Sequence, residues 1–143
     1  MQISTLLANK GTFVATVPGD AAVTQALVLL RRHGIGALVV AGDGEHIDGV
    51  VSERDVVRAL ADVGDDVLTR PVSSIMTTEV TTCAPDGDVE SLMATMTNLR
   101  IRHVPVIDAG RLCGIVSIGD VVKTRIEELE RNRQELVDYI HAR

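Results

Sequence analysis

Residues 35–57, IGALVVAGDGEHIDGVVSERDVV, lie over residues 101–122, IRHVPVIDAGRLCGIVSIGDVV. Leu38-Val39-Val40 falls on Val104-Pro105-Val106 at an offset of 66 residues. Gly49-Val50-Val51-Ser52 falls on Gly114-Ile115-Val116-Ser117, and Asp55-Val56-Val57 on Asp120-Val121-Val122, at an offset of 65, so the first turn is one residue longer. Upstream the offset of 66 continues: Val14 on Val80, Thr16 on Thr82, Val23 on Val89, Leu27 on Met93 and Leu30 on Met96. No other feature constrains the fold as much. Each copy must build the same small unit, and a unit of about 45–50 residues buries only a modest core alone, so the two gain by packing together.

Each copy carries the same order of signals. A short extended piece (14–17, 80–83) leads through a turn to a helix (20–33, 86–99). The helical stretches place Val23, Ala26, Leu27 and Leu30, and Val89, Leu92, Met93 and Met96, at the spacing of one helical face. Two β-branched strands follow, 37–41 with 47–51 and 103–107 with 112–116, joined by GDGEH or DAGR, and a second helix starts near Asp55 or Asp120. The pattern predicts an α+β fold: two β-α-β-β-α units packed sheet on sheet as a pseudo-twofold pair. Boundaries follow at 1–61 for the first unit, 62–79 for a connector with Pro71 and a helical turn near Ser74–Met76, 80–126 for the second unit, and 127–143 for a helical extension. In the last segment Val122, Ile126, Leu129, Arg133, Leu136 and Ile140 repeat at 4-3-4-3-4 spacing, a seam that either packs back on the domain or zips to a partner chain.

Composition closes several avenues. The net charge of −6 argues against a general nucleic-acid binder, leaving only a local basic patch open, and one Phe, one Tyr and no Trp give bases almost nothing to stack on. The core must be aliphatic. Cys83 and Cys113 stand 30 residues apart without a CxxC, and read as free thiols used as small core residues. The start MQISTLLANKGTF lacks the charge and apolar run of a secretory signal, and no segment reaches the ~20 apolar residues of a membrane span, so a cytoplasmic location is expected. His33, His46 and His141 are scattered without ligand spacing, and Met76, Met93 and Met96 read as core. GxGxxG and GxxxxGK[ST] are both missing, and no catalytic triad motif occurs.

Polar groups gather at the ends of the strand pairs. Ser52 with Asp55, and Ser117 with Asp120, stand where a strand gives way to a helix, a capping pattern that alone justifies both residue types. Arg100, Arg102 and His103 cluster at the start of the second unit's strand, suited either to phosphate contact or to a solvated strand edge. The first unit has Gly34, Gly36 and Ala37 at those positions, with His33, Arg54 and Arg58 close in sequence. The copies are therefore chemically unequal.

The ordered set, a helix, then HGIGALVV or LRIRHVPV, then GVVSERD or GIVSIGD, with SSIMT leading into the second copy, resembles the cystathionine-β-synthase (CBS) domain. The likeness covers about 12–126, and the tandem arrangement resembles a Bateman module in a small standalone bacterial protein. The resemblance implies a regulatory module that binds adenosine derivatives (AMP, ADP, ATP, NAD(H) or S-adenosylmethionine) in clefts between the repeats, without catalysis, cofactor or metal of its own. It implies that Asp55 with Ser52, and Asp120 with Ser117, receive ribose hydroxyls, that Thr16 and Thr82 floor the clefts, and that chains associate as homodimers. The chemistry is consistent: a carboxylate accepts two hydrogen bonds from a cis-diol, and Arg54, Arg100, Arg102 and His103 are apt phosphate partners. Which cleft Arg102 and His103 serve is open at this stage. A small nucleotide-acting enzyme, and an assembly scaffold with vestigial clefts, are the competing function classes.

Overall fold

The computed structural model describes residues 1–142. The first repeat comprises β1 (Thr16–Val17), α2 (Val23–His33), β2 (Ala37–Val40), β3 (Gly49–Ser52) and α3 (Glu53–Val63). The second comprises α4 (Val89–Leu99), β4 (His103–Asp108), β5 (Arg111–Ser117) and α5 (Ile118–His141). The connector holds two 3₁₀ turns, Asp65–Thr69 and Val72–Ser74, the second slightly earlier than the sequence suggests. An additional helix, α1 (Ile3–Lys10), precedes the first repeat; the sequence reading did not anticipate it.

Both repeats bury the same positions. Val23, Ala26, Leu30, Leu38, Val40, Val51 and Val56 are buried in the first; Val89, Leu92, Met96, Val104, Val106, Val116 and Val121 are their counterparts in the second. Helical spacing on α2 and α4 and strand alternation on β2 and β4 turn these side chains to one side. The result is two aliphatic clusters, one per repeat. Ala37, Val39 and Pro105, on the opposite strand faces, are buried as well. Each sheet is therefore covered on both sides, as a pair of repeats packed through their sheets requires. The second cluster also recruits Ile3, Leu6 and Leu7 of α1.

The predicted strand over 80–83 is the main departure. In the first repeat β1 pairs in parallel with β2, and the Val39 N–H donates to the Ala15 carbonyl at 3.2 Å. The counterpart of Val39 is Pro105, which has no N–H to donate. Only the Cys83–Val106 bridge survives, through Cys83 N–H to the Pro105 carbonyl (3.1 Å) and Ile107 N–H to the Cys83 carbonyl (2.9 Å). One substitution thus reduces a strand to a bridge, leaving the three-stranded order β1-β2-β3 beside the two-stranded β4-β5.

Glycine recurs where an incoming segment crosses a strand. A Cβ at Gly49 would sit 2.7 Å from the Thr77 carbonyl oxygen, and one at Gly114 would sit 2.8 Å from Leu7 Cδ2. The two positions are repeat counterparts. One admits the connector, the other admits α1.

A candidate nucleotide cleft between the repeats

Ser52 ends β3 in extended conformation and caps α3, its hydroxyl accepting from the Asp55 N–H at 3.2 Å. Asp55 returns the bond, its Oδ2 accepting from the Ser52 N–H at 2.8 Å and from the Ser52 hydroxyl at 3.1 Å. Both bonds fall on Oδ2, so Oδ1 keeps its lone pairs. Capping and ligand contact are compatible here, because the cap consumes half of the carboxylate.

Facing this junction stands the start of the second repeat. Ser52, Glu53, Arg54, Asp55 and Arg58 from the first repeat line one cleft together with Arg100, Ile101, Arg102 and His103 from the second. The connector closes it with Thr77, Glu79, Val80 and Thr81, and the cleft volume is about 340 Å³. The question of which cleft holds Arg102 and His103 is thereby answered geometrically: they face Ser52 and Asp55. Gly36 lies beside the His103 ring, where a Cβ would sit 3.4 Å from Cε1, at ordinary van der Waals contact.

The imidazole of His103 is tuned by this setting. Burial, then the Lys10 ammonium, push its pKa below the ordinary histidine value; Asp120 and Glu53 pull back, and Arg102 adds to the depression. Arg100 is unusual in its backbone. It caps α4 in the left-handed region at φ 55°, ψ 40°, a conformation its counterpart Gly34 adopts at φ 63°, ψ 38° as the cap of α2.

The other candidates lie elsewhere. Thr16 sits on β1 beside Val39, and Thr82 is exposed; neither lines the cleft. The threonines that do are Thr77 and Thr81. Thr81 could have been found from strand parity, since it precedes the Thr82 that the repeat alignment favours and so points to the opposite face. Thr77 could not, because the residue at the same offset in the first repeat is Gly11, which has no side chain to mark the position.

Ser117 and Asp120 reproduce the capping box of the first repeat on α5, with Ser117 N–H to Asp120 Oδ2 at 2.9 Å and Asp120 N–H to the Ser117 hydroxyl at 3.1 Å. They do not line the Arg102–His103 cleft. Asp120 Oδ2 is instead paired with the Lys10 ammonium of α1, which also donates to the Ile115 carbonyl at 2.7 Å. Partial burial raises the Asp120 pKa, but Lys10 and the Ser117 donors outweigh it and hold the carboxyl below its usual range.

Cys83 and Cys113 are free thiols at the rim of the second cluster, and burial pushes the Cys83 thiol up to about 11, away from reactivity. Among the described residues no helix is long and apolar enough to cross a membrane, and no group of His, Cys, Asp and Glu could hold a metal ion.

The CBS-domain family profile matches residues 12–62 and again 72–127. The chain belongs to the CBS-domain family. It is a tandem CBS pair with α1 ahead of it and α5 running on beyond it. It resembles the mitochondrial CBS domain-containing protein of Arabidopsis thaliana called CBSX3, with 38% identity over 127 residues, 86% of this chain and 62% of that protein's length. Among solved structures it resembles a CBS-domain containing protein from Agrobacterium tumefaciens (44% identity, TM-score 0.84, 87% of this chain and 99% of the other). It also resembles a CBS domain protein from Pyrobaculum aerophilum complexed with AMP (30% identity, TM-score 0.74, 84% of this chain and 89% of the other).

Proposed function

We propose that this CBS pair is a regulatory ligand-binding module that takes an adenine nucleotide between its repeats and performs no chemistry on it. One observation carries the reading: a cleft of about 340 Å³ joins a Ser-Asp pair from one repeat to two arginines and a histidine from the other. That volume falls in the ordinary range of small-molecule sites, about 300–1,000 Å³. Asp55 Oδ1 and the Ser52 hydroxyl suit ribose hydroxyls. Arg54, Arg100, Arg102 and His103 suit phosphate, while Val50, Val80 and Ile101 offer apolar wall to a purine. The Pyrobaculum relative with AMP supports the same ligand class. AMP is the simplest ligand that uses every feature; ADP, ATP and NAD(H) extend it at the phosphate end.

The reading includes a homodimer, supported by the exposed apolar row on α5 from Val122 to Ile140.

A thermal melt tests the nucleotide claim. At 100 times its Kd, AMP should stabilise the fold by about 2.7 kcal/mol, a shift of roughly 5–10 °C for a chain of this size. Asp55→Ala and Arg102→Ala should each abolish most of the shift at the same concentration, and AMP should be recovered unchanged after incubation. Absence of any shift with millimolar AMP, ATP and NADH would remove adenine nucleotides from consideration.

A further inference from the structure

The second repeat builds the same Ser-x-x-Asp cap as the first, yet its surroundings differ in one respect that decides its use. In the first repeat the Val50 carbonyl accepts from the Thr77 N–H of the connector at 2.9 Å, and no cation pairs with Asp55 among the described contacts. In the second repeat the counterpart of Val50 is Ile115, and the counterpart of Thr77 is Gly11. The Gly11 N–H is spent on the Leu7 carbonyl, closing α1. The Ile115 carbonyl receives Lys10 Nζ in its place, and the same ammonium settles on Asp120. Lys10 and Asp120 also border, with Asn9, Lys123, Thr124 and Glu127, a space of about 100 Å³ between α1 and α5.

We infer that Lys10 is a built-in occupant of the second site: its ammonium, held by Asp120 Oδ2 and the Ile115 carbonyl, sets a side chain and a positive charge against the carboxylate whose first-repeat counterpart, Asp55, pairs with no cation, so each chain binds one nucleotide, in the Asp55 cleft. This deepens the nucleotide reading and rests on it. α1 is secured independently of Lys10, through buried Ile3, Leu6 and Leu7, so replacing Lys10 opens the site without detaching the helix. Once opened, the second site would be the poorer one. Gly34, Gly36 and Ala37 stand where the first cleft draws on Arg100, Arg102 and His103.

Isothermal titration with AMP reads the consequence. The wild-type chain should take one AMP, Asp120→Asn should still take one, and Asp55→Asn should take none. Lys10→Met should take a second AMP at least tenfold more weakly, and adding Asp120→Asn to Lys10→Met should return the count to one. The first-site titration in Lys10→Met serves as its folding control. Two AMP per wild-type chain, or a single site in Lys10→Met, would overturn the inference and leave the nucleotide reading standing. No binding by the wild type would sink the nucleotide reading, and a ligand-free measurement then judges Lys10. The chain has two lysines, Lys10 and Lys123. Lys10 should acetylate at least tenfold more slowly than Lys123 in the wild type, and at a similar rate in Asp120→Asn. Equal rates in the wild type would end the claim that Lys10 is held.

Discussion

Arg100 is where the repeat pays for its asymmetry. Residues 34 and 100 both end a helix in the left-handed region, and the first repeat uses glycine there. An L-residue with a side chain holds that conformation at a cost of about 1 kcal/mol or more relative to glycine. The second repeat accepts this strain at a residue whose guanidinium lines the cleft. Arg100→Gly should therefore do two opposite things. In urea denaturation it should raise stability by about 0.5–1 kcal/mol, and in AMP titration it should weaken binding by at least fivefold, the loss of one charged contact. A substitution that destabilised the fold would show that the Arg100 side chain is held by packing, and one that left AMP binding unchanged would place the guanidinium outside the site.

Among the elements, α1 shows what a repeat analysis misses. Comparison of the two copies located α2, α4 and all four long strands, because each position was read twice. It was silent on α1, which occurs once, although Ile3, Leu6 and Leu7 have the spacing of a buried helical face. The same comparison overstated the strand over 80–83, where Pro105 replaces Val39 and withdraws the N–H that the pairing needs. The site was legible to the extent that it lay inside the repeats: Ser52, Arg54, Asp55, Arg100, Arg102 and His103 meet in one cleft. Which carboxylate pairs with a cation was not legible, because Lys10 reaches Asp120 across 110 residues of chain. The weight of α1 can be measured. Leu7 is buried against Gly114 in the second cluster, and Leu7→Ala should cost about 2–4 kcal/mol in urea denaturation. A cost below 1 kcal/mol would mean that α1 rests on the domain without completing its core.

At the scale of the whole molecule, α5 is longer than the domain needs. At 24 residues it is about 36 Å long, and its first part is tied down by buried Val121 and by Arg125, which reaches Glu90 of α4 at 2.9 Å. Beyond that point Leu129, Leu136 and Ile140 are each more than half exposed, and with Val122, Ile126 and Arg133 they continue the 4-3-4-3-4 seam. The homodimer proposed above would be joined along this seam, a second copy of α5 covering its apolar side chains. Truncation after Glu128 should convert the dimer to a monomer by light scattering while leaving the AMP-induced thermal shift in place. Arg133→Leu should tighten the dimer at least tenfold, since it replaces the one charged residue in the seam by the residue the pattern calls for. If the full chain has the mass of a monomer at 100 μM and Arg133→Leu does not change it, the seam does not join two copies.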